Sequence, residues 1–80
     1  MDEITERDIL RVYNETRPQS RDPRMREMEG DWCSGSRAGM EYALGMLGYR
    51  LVRPCRERAA GDEGRFPCAT AIVETRPHVV

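Results

Sequence analysis

Residues 23–47 hold no proline after Pro23, and within them Met25, Met28, Trp32, Gly35, Gly39, Tyr42 and Met46 recur at alternating spacings of three and four. That period places them on one face of a helix. Ser36, Met40, Ala43 and Leu47 form the flanking rows. The ends are marked as well. Asp22 is a good N-cap and Pro23 suits the first helical position, while Gly48 suits the residue that ends a helix in a left-handed conformation. One continuous helix over 23–47 would be about 37 Å long at 1.5 Å per residue. The objection is glycine: Gly30, Gly35, Gly39 and Gly45 each cost a helix about 1 kcal/mol relative to Ala. The competing arrangement breaks the run at Gly30-Asp31 and restarts it on Asp31, Ser34 or Ser36.

Gly35, Gly39 and Ala43, with Ser36 beside them, stack into a smooth stripe bounded by Trp32 and Leu47. Such a stripe lets another backbone approach closely. Two occupants fit it. One is the first helix of the same chain, filling the groove with Ile9, Val12 and Tyr13. The other is a second copy of the chain across a two-fold axis, since a self-complementary patch suits an isologous dimer. A membrane partner is not expected, because Arg37 and Glu41 interrupt the segment and no run reaches 18 apolar residues.

The remaining elements are short. Thr5, with Asp8 three residues on, reads as an N-cap of capping-box type, and Ile4 stands where a staple residue would. Ile9, Leu10, Val12 and Tyr13 follow at helical spacing, to an end near Thr16 or Arg17 ahead of Pro18. This helix of about eleven residues is too short to stand alone. Residues 49–53 and the β-branched run 69–75 read as strands. Residues 54–60 read as one or two helical turns and 61–64 as a loop; Pro77 ends the second strand and His78, Val79 and Val80 form a tail. The expectation is a single α+β domain over residues 1–80: a short N-terminal helix, a long glycine-containing second helix, then a small two-stranded β element.

Eighty residues give this fold little to spare. Area scaling puts the folded surface at about 4,900 Å² against about 13,300 Å² unfolded. Apolar burial then stabilises by on the order of 125 kcal/mol, against about 120 kcal/mol for ordering the chain. With the two so close, a partner subunit, a metal or a crosslink is a natural supplement.

Metal and thiol chemistry have thin support. Cys33, Cys55, Cys68 and His78 supply a Cys₃His set, but no two cysteines stand in the close pair that structural zinc sites use. A Cys55–Cys68 disulfide would tie the strands under oxidising conditions. Cys33 with His78 as nucleophile and base has no supporting pattern, since a histidine near a chain end lacks fixed geometry. Phosphate-loop, dinucleotide and nucleophile-elbow motifs are absent from the sequence. No catalytic residue and no cofactor are expected.

The charge is uneven. Residues 1–31 hold nine acids and six arginines, residues 32–60 two acids and five arginines, and residues 61–80 three acids and two arginines, for the overall −1. All thirteen basic residues are therefore arginine, which a GC-rich genome alone produces. Arg50, Arg53, Arg56 and Arg58, beside Tyr49, form the one patch resembling a nucleic-acid contact. About four phosphate contacts give weak, salt-dependent binding, and no recognition motif adds base readout. Nucleic acid ranks below protein as a partner, and a zinc module ranks last. The charged N-terminus lacks an apolar signal-peptide core, which implies a cytoplasmic protein with reduced cysteines.

The opening Ile4-Thr5-Glu6-Arg7-Asp8-Ile9 and the segment running from Trp32-Cys33-Ser34-Gly35 to Ala43-Leu44-Gly45-Met46-Leu47-Gly48-Tyr49 resemble small accessory proteins of actinobacterial phages. These combine a charged N-terminal helix with a glycine-punctuated second helix. The resemblance covers about half the chain. It implies an accessory protein in the host cytoplasm that binds a host or phage protein. The expected function is thus a non-enzymatic interaction module, homodimeric through its second helix. Trp32, Gly35, Gly39, Met40, Ala43 and Leu47 would form the packing seam, and Met25, Met28 and Tyr42 a surface for an unidentified protein partner, because methionine-rich faces adapt to what they meet.

Overall fold

The computed structural model describes residues 1–53 and 65–75. Four elements follow one another: α1 (Glu3–Glu15), α2 (Pro23–Met46), β1 (Tyr49–Val52) and β2 (Ala71–Glu74). This is the expected α+β order. The turns expected over 54–60, the loop at 61–64 and the tail from Pro77 onward lie outside the described residues. Both strands are shorter than the sequence suggests, losing Arg53 from the first and Ala69, Thr70 and Thr75 from the second.

The long helix is continuous through Gly30. Its start is the Asp22-Pro23 signal: the Asp22 carboxylate accepts the Arg24 N–H at 3.0 Å. At its end Leu47 caps the helix and Gly48 follows at φ 90°, a conformation that a Cβ would strain. The connection ahead of it is tied back to the helix. Glu29 accepts the backbone N–H groups of Gln19 and Ser20, and Arg26 donates to the Ser20 carbonyl.

The shorter helix starts earlier than Thr5. Asp2 is its N-cap and accepts both the backbone N–H and the hydroxyl of Thr5, at 2.7 and 2.9 Å. A carboxylate at the positive end of the helix dipole outcompetes a hydroxyl, so the Thr5 hydroxyl serves as a donor inside the first turn. The Thr5 backbone N–H, first, and its hydroxyl hold the Asp2 carboxyl below its ordinary pKa. Ile4 points to solvent and forms no staple.

The core gathers Tyr13, Leu44, Leu51 and Ala69, with Ile9, Leu10, Met40, Tyr49 and Ile72 packed around them. One charged residue lies inside with them. Arg37 is 4% exposed, its guanidinium 4.3 Å from the centre of the Tyr13 ring and 5.4 Å from that of Phe66. Its Nε donates to the Thr16 carbonyl at 2.9 Å and its Nη1 to the Pro67 carbonyl at 2.7 Å. The last turn of α1 contains no basic residue of its own. Arg37 supplies the missing cation from the neighbouring helix and satisfies a carbonyl that the helix end leaves open.

The strands pair antiparallel, Tyr49 with Glu74 through Val52 with Ala71. Side chains of α1 cover the outer side of the β2 segment. The Asn14 amide accepts from the Ala69 N–H at 2.7 Å and donates to the Ala69 carbonyl at 2.9 Å, and Glu6 accepts the Ile72 N–H at 3.2 Å. Asn14 thus makes the two hydrogen bonds that a neighbouring strand residue would make.

Removing Arg37 strands two carbonyls and vacates the space between two rings. Arg37→Ala is expected to cost about 3–4 kcal/mol, enough to unfold so small a domain. Arg37→Lys recovers little of that, because an ammonium has no planar fork. Asn14→Ala is expected to cost about 1–3 kcal/mol. Urea denaturation followed by circular dichroism checks all three.

Candidate interaction surface

The long helix has two faces of opposite character. Gly30, Cys33, Arg37 and Leu44 are its buried residues. At about 100° per residue, Met25, Met28, Trp32, Gly35, Gly39, Tyr42, Ala43 and Met46 fall within an arc of about 100° on the other side, and all eight are exposed. Trp32 and Tyr42 are 69% and 72% exposed. The outward face is therefore the more apolar one, the reverse of an ordinary amphipathic surface helix.

This placement excludes the internal occupant of the glycine stripe. Among the described residues, no atom beyond the local helix lies within 4 Å of where a Cβ would stand on Gly35, Gly39 or Gly45. The shorter helix meets α2 on the Arg37 side, because Tyr13 is fully buried there against the guanidinium. Val12, expected in the groove, is half exposed. Gly30 is the exception among these helical glycines. A Cβ there would stand 3.0 Å from the Arg65 guanidinium, which also pairs with Asp31 at 3.2 Å.

Two expected seam residues sit elsewhere. Met40 is half-buried and turned to the core, and Leu47 is the exposed helix cap at the margin of the row. Met46 belongs to the row on geometry, as its spacing from Tyr42 indicates, although the seam expected from the sequence omits it. A shallower apolar groove of about 400 Å³ joins the row at Ala43 and runs between the helices past Ile9, Val12, Leu44 and Leu47.

Of the expected arginine patch, Arg50 and Arg53 lie among the described residues. Arg50 is exposed. Arg53 is engaged, 2.9 Å from the Glu41 carboxylate and donating to the Tyr13 hydroxyl at 3.2 Å. Arg56 and Arg58 lie outside the described residues. So do Cys55 and His78, and with them the disulfide, the Cys₃His set and the Cys33–His78 pair. Among the described residues no cluster of metal-ligating side chains occurs. Cys33 is buried and Cys68 exposed, both as free thiols. Burial, first, and then the negative charge of Glu29 push the Cys33 thiol above its ordinary pKa. An activated nucleophile requires the opposite shift.

No helix among the described residues is long and apolar enough to cross a membrane. Comparison with protein-family models, curated proteins and solved structures gives no match for this chain.

The two described thiols should differ sharply in reactivity. In the folded protein at neutral pH an alkylating reagent is expected to modify Cys68 quickly and to leave Cys33 intact until denaturant is added. Peptide mass mapping before and after unfolding checks this.

Proposed function

We propose that this chain is a small non-enzymatic interaction module that self-associates through the outward face of α2. In keeping with the resemblance to phage accessory proteins, it would work in the host cytoplasm by binding a host or phage protein. One observation carries the proposal. The largest exposed aromatic side chains, Trp32 and Tyr42, lie in line with two glycines whose missing side chains leave open space. Contiguous exposed apolar surface on a small protein marks an interaction site. Trp and Tyr are also the residues in which binding energy concentrates.

The glycines support the same reading. Gly35 and Gly39 weaken the helix by about 1 kcal/mol each relative to Ala, and none of the described residues packs against them in return. A partner backbone seated on the stripe offsets that cost. Met25, Met28 and Met46 beside it are unbranched and adaptable, which suits docking to a second surface. The raised pKa of Cys33 argues against a thiol nucleophile, and the pairing of Arg53 with Glu41 weakens a phosphate-binding patch.

Sedimentation velocity across a concentration series tests the proposal. The parent chain is expected to shift from monomer to dimer as concentration rises. The double variant Trp32→Ser with Tyr42→Ser should remain monomeric with unchanged helicity, because both residues are exposed in the single chain. Gly39→Leu should likewise spare the fold and weaken association. A parent chain that stays monomeric at high concentration overturns the proposal.

A further inference from the structure

Six of the eight residues of the exposed row, all but Met25 and Ala43, read the same from both ends. From Met28 the order is methionine, aromatic, glycine, glycine, aromatic, methionine, at Met28, Trp32, Gly35, Gly39, Tyr42 and Met46, with spacings of four, three, four, three and four. Its centre falls at residue 37, whose own side chain points into the core. A parallel pair of helices matches like with like for any sequence and so does not call for this symmetry. An antiparallel pair with its two-fold axis at the centre does. Gly35 then faces Gly39 of the second copy, Trp32 faces its Tyr42, and Met28 faces its Met46.

We infer that the partner on this face is a second copy of the chain, held antiparallel with the two glycines of each helix at the crossing point. The inference rests on the proposal that the outward face of α2 self-associates, and adds the direction and register. Two glycine layers allow the helix axes closer than the usual 8–10 Å or so, while the aromatic and methionine layers close the seam on either side. Ser36 and Ala38, small residues flanking the centre, leave room for the approach. Antiparallel packing also sets the positive end of each helix dipole beside the negative end of the other. Among the described residues, α1 and the Phe66-Pro67 segment meet α2 on its Arg37 side, away from the two glycines.

The area is sufficient. Four aromatic side chains, each about 70% exposed before association, cover about 400–700 Å². The four methionines and the glycine backbone between them carry the total past the roughly 1,000 Å² that separates a specific interface from incidental contact.

Directed disulfide formation tests the register. Two single variants, Met28→Cys and Met46→Cys, are made with Cys55 and Cys68 replaced by alanine and with tags of different mass. Both positions are exposed in the single chain, so neither change should unfold it. Mixed and oxidised at a concentration where the parent chain is dimeric, the two are expected to form the mixed disulfide in at least tenfold excess over either homodisulfide. Homodisulfides in excess indicate a parallel pair and overturn the inference. A dimer by sedimentation with neither crosslink also overturns it, and leaves the self-association proposal standing. A monomer by sedimentation removes both.

Discussion

A single guanidinium, that of Arg37, decides how the helices meet. It bridges the last turn of α1, the Phe66-Pro67 segment and the body of α2 through two carbonyls and two ring faces. A hydrophobic side chain of similar volume could fill the space but could not satisfy the carbonyls. Desolvating a charge is costly, and here the cost is met by hydrogen bonds and aromatic faces, with no carboxylate of the described residues bonded to the guanidinium. Its Nη2 remains buried without a partner, so this contact favours geometry over maximal stability. Because Arg37 fixes which side of α2 turns inward, it also fixes which side turns outward.

What turns outward is the more apolar half of the helix. Two requirements divide the same 24 residues. The inward row gives the small domain its closure, with Arg37 and Leu44 reaching α1 and the 65–69 segment. Among the described residues nothing packs on the glycines of the outward row, and they weaken the helix. For so small a domain this arrangement makes sense when the outward row is completed by something else, and the proposed second copy would supply matching layers.

Both ends of the long helix, the end of the short one and the presence of two strands are legible in the sequence because they rest on local chemistry. Asp22-Pro23 starts a helix and Gly48 stops one wherever they stand, and the β-branched cluster around Ile72 and Val73 favours extended backbone. The choice of buried face is not legible. Hydropathy points to the Met, Trp and Tyr row, whereas the buried row contains a glycine, a cysteine and an arginine. Arg37 also stands four residues before Glu41, the spacing of an ordinary surface ion pair. Glu41 instead turns to Arg53, which only the tertiary arrangement reveals. The same holds for Asp2 and Thr5: both are good caps, and geometry, not composition, selects the carboxylate. The candidate surface was legible as a row of residues, but its exposure came only with the structure.

The pairing of Asn14 with Ala69 has a consequence for how the protein behaves when crowded. A two-stranded sheet has two open sides, and an open side is a template on which another chain can add a strand and begin a fibril. By occupying Ala69 with an amide and Ile72 with a carboxylate, the first helix acts as a terminator. It closes off growth in that direction without itself becoming extended, so the domain can carry so small a sheet without inviting polymerisation from that side.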